Sequence, residues 1–284
     1  YAALSYCWGK SKKTTTTTIH NLHEHIEAGF SYELLGKTIQ DAVSITRSIG
    51  VRYLWVDALC IIQGSEDEAR ADWQTESSRM AAVYGNAYVT IIAADSPTSD
   101  SGILRKRSII RESSISQDGF TQRRIYSAFR NTKILEAASS TPNIWSTRAW
   151  TFQEAVLSRR ALLYTDQKKY WKCGHGLLSE DGKLARSTLI HRLTRNLVEQ
   201  DWHLVIEEYT KRRLSNGNDK LPALSGLASL YHRGNATPYL AGLWNTTLLS
   251  DLLWRTEISA ELMPQHTQSY RAPSWSWASV DGPV

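Results

Sequence analysis

The sequence predicts an α/β fold: a parallel sheet flanked by helices, with a mainly helical C-terminal extension. Short apolar, β-branched and aromatic runs alternate with helix-like segments through the first half of the chain. That alternation is the pattern of parallel strands joined by covering helices. Of the 284 residues, 42% are hydrophobic and 21% charged, which supports a packed core and excludes a disordered chain. No window approaches the roughly 18 uninterrupted apolar residues of a membrane span.

The elements follow in order. Tyr1 to Trp8 is short, apolar and aromatic, ends at Gly9, and predicts a first strand. Lys10 to Thr18 is basic and runs into five threonines, so it predicts a mobile loop. Thr38-Ile-Gln-Asp41 is a capping-box pattern that opens a helix, and Gly50 stands where its C-cap belongs. Ile39, Val43 and Ile49 fall near one face of it. Tyr53-Leu-Trp-Val56 predicts a second strand with Asp57 at its carboxyl end. A helix from about Asp67 to Tyr84 follows, closed by Gly85, and Tyr88 to Ala94 makes a third strand ending at Asp95.

Ser96 to Asn143 is polar, basic and without a clear period, and predicts an insertion with weak structure. Order returns with a helix over Trp145 to Leu157 and a strand over Ala161 to Thr165. Ser187 to Leu214 reads as one long helix or two, Leu221 to Tyr231 and Thr247 to Ile258 as further helices, and Pro273 to Val280 as a closing strand. The expected organisation is therefore an α/β domain over 1–175, with a polar insertion near 96–143, and a mainly helical region over 176–284 packed on it. The sequence starts at Tyr1 without Met and reads as an excised piece, so a missing signal peptide carries no information.

Three cysteines (Cys7, Cys60, Cys173) make no disulfide framework and point to reduced, intracellular thiols. The net charge of +5 comes mostly from scattered basic doublets, with Arg105-Lys106-Arg107 the densest group. Such an excess suits an anionic ligand (a nucleotide, nucleic acid or acidic lipid). No zinc-finger spacing or aromatic RNA-binding signature accompanies it, so nucleic acid is not expected, and solvated surface charge is the favoured reading. Eleven tryptophans suit packed pockets with a polar edge, a few of them lining a cleft that stacks on a planar ring.

Several motifs fail. Gly9-Lys10-Ser11 lacks the phosphate-loop glycine five positions earlier, where Leu4 stands. No dinucleotide-binding glycine pattern and no nucleophile elbow are present. His20, His23 and His25, like Cys173 and His175, lack zinc-ligand spacing, so no metal is expected.

Asp57 and Asp95 stand at carboxyl ends of parallel strands, where open α/β sheets bind ligands; capping or loop hydrogen bonding is the competing reading. In Trp145-Ser-Thr-Arg148-Ala-Trp150-Thr-Phe-Gln-Glu154, Trp150 and Glu154 are four apart and share a helix face. A carboxylate beside an indole, with Arg148 near, suits a cationic aromatic ring and an oxocarbenium-like transition state, as in cleavage of an N-glycosidic bond. The competing reading is an amphipathic helix with Trp150 packed and Glu154 paired to Arg148 or Arg159.

Ala3-Leu-Ser-Tyr-Cys-Trp-Gly9, Tyr53 to Gln63, Asp72-Trp73 to Met80, Arg148 to Glu154, Asp219 to Ala223, Tyr239 to Trp244 and Ala272 to Trp277 together resemble the fungal heterokaryon incompatibility (HET) domain. The resemblance implies a cytoplasmic protein of filamentous fungi that triggers cell death after non-self recognition. It also implies a distant similarity to TIR domains, which have a flavodoxin-like parallel sheet and some of which hydrolyse NAD. The TIR helix start S-x-x-W-x-x-x-E is similar to Ser146 to Glu154, with slightly altered spacing. By that likeness Glu154 is the catalytic acid, with Glu76 its rival, and Trp150 a ring-stacking residue. Ser5, Tyr6, Trp8 and Gly9 then form the first-strand loop beside the nucleotide. Asp57, Asp95 and Arg148 complete the expected ligand site. NAD is the expected substrate, no cofactor is required, and self-association or a non-self partner is expected. A non-catalytic self-associating death module and a secondary-metabolite enzyme on the same fold are the alternatives.

Overall fold

The computed structural model describes residues 1–10, 15–105, 144–166, 168–182, 184–185, 202–235, 237–256 and 270–284. The chain order is β1 (Ala2–Ser5), α1 (Leu22–Glu27), α2 (Lys37–Ser48), β2 (Leu54–Trp55), α3 (Asp57–Cys60), α4 (Asp67–Asn86) and β3 (Val89–Ala93). There follow α5 (Ala149–Leu157), β4 (Ala161–Tyr164), β5 (Lys169–Cys173), β6 (Gly176–Ser179) and β7 (Leu184–Ala185). The C-terminal part holds α6 (Trp202–Thr210), α7 (Pro222–Asn235), β8 (Tyr239–Leu240), β9 (Leu243–Trp244) and α8 (Leu248–Asp251).

A seven-stranded sheet in the order β2-β1-β3-β4-β5-β6-β7 organises the molecule. Its first four strands are parallel, with Ala2 opposite both Leu54 and Val89 and Thr90 opposite Ala161. The last three are antiparallel. The mixed α/β class is as the sequence predicts, but the sheet is longer. Lys169 to Ala185 continues it as a meander where the sequence signalled mainly helix. The boundary expected after residue 175 falls inside the β5–β6 hairpin, where Cys173 pairs with Gly176.

Four apolar clusters fix the packing, one of them joining Ala155 of α5 and Trp145 to Ile92, Ala161 and Leu163 of the sheet. Leu4, Val89 and Ile91 of the sheet meet Ile39, Ala42 and Ile45 of α2 on one face. Ala3, Met80 and Tyr84 join α4 to the other. Phe152 and Val156 of α5 pack with Trp202, Tyr209, Leu224, Leu227, Trp244 and Trp277 of the C-terminal part. Helix α5 therefore sits between sheet and C-terminal helices, with every residue from Thr151 to Val156 buried, as expected of a helix with neighbours all round.

Several local expectations are corrected. The buried face of α2 is Thr38, Ile39, Asp41, Ala42, Ile45 and Thr46, and Ile49 is exposed. Thr38 and Asp41 form no capping box. The Thr38 hydroxyl donates to Thr98 O, and Asp41 accepts from the Ile103 and Leu104 amides. These bonds tie residues 98–104, the start of the expected insertion, tightly to α2. Residues 106–143, the rest of it, lie outside the described residues. The threonine loop is pinned at its end: Thr17 is buried, its amide donates to Ala58 O and its hydroxyl to Leu59 O. Gly85 lies inside α4. The Trp145 to Leu157 helix is broken by extended Arg148. Pro273 to Val280 closes as a 3-10 turn over Trp277–Ser279 rather than a strand. In the Thr247 segment the described helix is the single turn α8. Residues 187–201 and 257–258 of the expected helices lie outside the described residues.

Candidate functional site

In the order β2-β1-β3-β4 the chain leaves β1 toward one side and then builds toward the other, so the sheet reverses direction beside β1. Open α/β sheets bind ligands at the carboxyl ends of the strands at such a reversal. Ser5, Tyr6, Cys7 and Trp8 leave β1 there, and α3 starts there at Asp57.

The floor is buried. Ser5 donates to the Glu154 carboxylate and accepts from Trp145 Nε1 at 2.7 Å. Tyr84 reaches the same place from α4, its hydroxyl donating to Leu4 O at 3.2 Å. Glu154 is 6% exposed. Burial outweighs the Arg148 charge and the Ser5 bond, so its carboxyl is pushed up to about 7. The same burial, with Glu154 near, holds the Tyr84 phenol well above its ordinary range.

The rim is half-buried and carries Trp8, Asp57 and Arg148. Trp8 Nε1 donates to Asp57 Oδ2 at 3.0 Å, and Ala58 N donates to Asp57 Oδ1 at 2.7 Å. Burial raises the Asp57 carboxyl above its ordinary value, opposed first by the Arg148 charge. Arg148 donates to Tyr6 O at 2.6 Å. Burial works against its charge, but Cys7, Glu154 and Asp57 more than restore it. Burial likewise pushes the Cys7 thiol up. The Tyr6 hydroxyl, in a residue 2% exposed, has no hydrogen-bond partner.

The C-terminal region shapes this centre through backbone bonds. Ala149 N donates to Arg213 O and Arg213 N to Thr147 O, which locks Arg148 extended just before α5. At the other end of α5, buried Lys172 donates to Ala155 O and, at 2.7 Å, to Ser158 O. The helix bearing Glu154 is thus fixed at both ends.

Ser5, Tyr6, Trp8, Asp57, Arg148 and Glu154, expected as site residues, come together. The other four do not. The Trp150 indole donates to Asp219 Oδ2 at 3.1 Å and meets Trp73 edge to face, so its ring is packed. Glu76 pairs with Arg79 at 2.8 Å along α4. Asp95 accepts from Asp166 N at 2.9 Å and joins the loops after β3 and β4. Gly9 has φ +60°, and a Cβ there would stand 2.5 Å from Pro97 O; its close neighbour is protein backbone.

Sequence reasoning missed the site roles of Tyr84, Trp145, Lys172 and Arg213. Trp145 lies in the quoted Trp145 to Glu154 run, which was its only signal. No described group of three His, Cys, Asp or Glu side chains could hold a metal ion. Among the described residues no helix is long and apolar enough to cross a membrane. The floor offers one buried carboxylate able to exchange a proton near neutral pH. The rim adds a fixed guanidinium and a partly open indole.

A family model, heterokaryon incompatibility protein (HET), matches residues 1–154, a span that runs from β1 to Glu154. No curated protein and no solved structure matches the chain.

Proposed function

The chain belongs to the heterokaryon incompatibility (HET) family, and from that premise we propose that it cleaves the N-glycosidic bond of NAD. The reaction belongs to a cytoplasmic response of a fungus to non-self that ends in programmed cell death. The observation that supports this most is the buried Glu154 carboxyl, held by Ser5 at the carboxyl end of β1 and pushed up to about 7.

In this reading the bond between the nicotinamide nitrogen and the ribose anomeric carbon breaks, and its electron pair neutralises the pyridinium. Ionised Glu154 stabilises the cation left on the ribose and takes a proton from the attacking water, giving ADP-ribose. A fixed carboxylate in a water-poor site is an effective stabiliser of such a charge. Arg148 attracts the diphosphate. Trp8, whose Nε1 is already bonded to Asp57, offers its ring to the nicotinamide in place of Trp150. Self-association, or a partner carrying the non-self signal, would gate the reaction.

Incubating the purified chain with NAD and quantifying nicotinamide tests this, with Glu154→Gln as control. Release that the substitution abolishes is the expected result. No release at high protein concentration would sink the enzymatic reading and favour a non-catalytic signalling module.

A further inference from the structure

The amino ends of the parallel strands, opposite Glu154, carry a row of exposed rings. Ala2 N donates to Tyr53 O and Tyr88 N to Tyr1 O, both at 2.8 Å. These bonds put Tyr53, Tyr1 and Tyr88 in one register across β2, β1 and β3. Tyr53 is 64% and Tyr88 54% exposed, although each immediately precedes a strand of the core. Arg52 lies over the Tyr53 ring at 5.4 Å and Arg160 over the Tyr88 ring at 4.7 Å. Arg47, in the last turn of α2, and Arg159 are exposed at the same end.

Among the described residues, the segments 45–53, 81–89, 157–161 and 173–176 meet there, and none of them contains an Asp, Glu or Lys. The C-terminal ends of helices favour nearby cations, which accounts for Arg47 but not for exposed tyrosines stacked under arginines. We propose that this end of the sheet docks a protein partner through an acidic face with apolar side chains at its centre. Tyrosine and arginine are the residues enriched at protein interfaces, while lysine, aspartate and glutamate are depleted there. The uniform positive charge selects an acidic partner and disfavours the same face of a second copy. Because the surface lies at the opposite end of the sheet from Glu154, a docked partner would leave that site uncovered. The inference does not depend on the NAD reading.

The probe is a fluorescein-labelled glutamate–leucine copolymer, read by fluorescence anisotropy against the whole chain at moderate salt. Binding is expected to weaken by about tenfold or more in Arg52→Ala/Arg160→Ala and measurably in Tyr53→Ser/Tyr88→Ser. It should be unchanged in Arg70→Ala/Arg79→Ala on α4, with thermal unfolding unchanged throughout. Equal weakening in the α4 pair, or no effect of the tyrosine pair, would overturn the proposal. So would tighter binding of oligothymidylate or phosphatidylserine vesicles than of the copolymer, since the surface would then be a general polyanion or membrane contact.

Discussion

Ser5 and Glu154 are 149 residues apart in sequence and share one buried hydrogen bond. The same Ser5 hydroxyl accepts from Trp145 Nε1. One small side chain at the end of β1 therefore joins the strand, the 3-10 turn Trp145–Thr147 and helix α5.

Ser5→Ala leaves a buried indole N–H and a buried carboxylate each short of a partner. Losing such partners costs about 2–3 kcal/mol in all, to be read from the denaturant midpoint. The Ser5 bond favours ionised Glu154, so its loss moves the acid limb of any Glu154-dependent activity to higher pH. A pH–rate profile unchanged by the substitution would detach Ser5 from the carboxyl's chemistry.

Glu154 also makes stability depend on pH. Its carboxyl titrates at about 7 when folded against an ordinary 4.5, so between those values the folded chain keeps a proton that the unfolded chain has lost. Stability is lost as pH rises through this window. Glu154→Gln has no such loss, so the stability difference between the two proteins should shift in favour of the variant by about 3 kcal/mol from pH 4 to pH 8, and the proposed nicotinamide release should disappear. Parallel denaturation of both proteins from pH 4 to pH 8, where the gap must open with pH, checks the sign.

Part of this centre was legible: Asp57 from its place after β2, Arg148 and Glu154 as candidates from the run that opens α5, and Ser5, Tyr6 and Trp8 only through the family resemblance. Parallel strands fix where such ends go. The partner of each side chain was not legible. Helical spacing puts Trp150 and Glu154 on one face, but a helix with neighbours all round sends adjacent positions to different partners. Trp150 goes to Asp219 and Glu154 to Ser5. Tyr84 and Lys172 act across 80 and 14 residues, to Leu4 and Ser158, contacts that no local period encodes. The meander β5 to β7 was missed because β6 and β7 are only four and two residues long and β5 mixes lysines with aromatics.

The proposed ring-stacking role of Trp8 in place of Trp150 can be measured. Trp8→Ala opens the rim and should raise the KM for NAD several-fold with a modest effect on stability. Trp150→Ala removes a ring packed between Trp73 and Asp219 and should cost about 3 kcal/mol or more while leaving KM near its original value. The opposite pattern would return the ring-stacking role to Trp150.

Lys172 holds helix α5 from behind. It is 5% exposed, and its ammonium donates to Ala155 O and Ser158 O at the C-terminal end of the helix, where the helix dipole favours a cation. Burial nevertheless lowers its pKa from 10.5 to about 7. Between these values the unfolded chain holds a proton that the folded chain has released, so stability rises with pH across this window. Lys172→Met removes both the buried charge and the two bonds. Near pH 7 these losses oppose one another and the variant should unfold close to the original protein. By pH 9 more than half of the penalty on the buried ammonium is relieved in the original protein, and the variant should be the less stable. The freed end of α5 also loosens Glu154 in the middle of that helix, so kcat should fall while KM changes little. Denaturant midpoints at pH 7 and pH 9, with kcat and KM at each, separate a residue that positions the helix from one that merely fills the core.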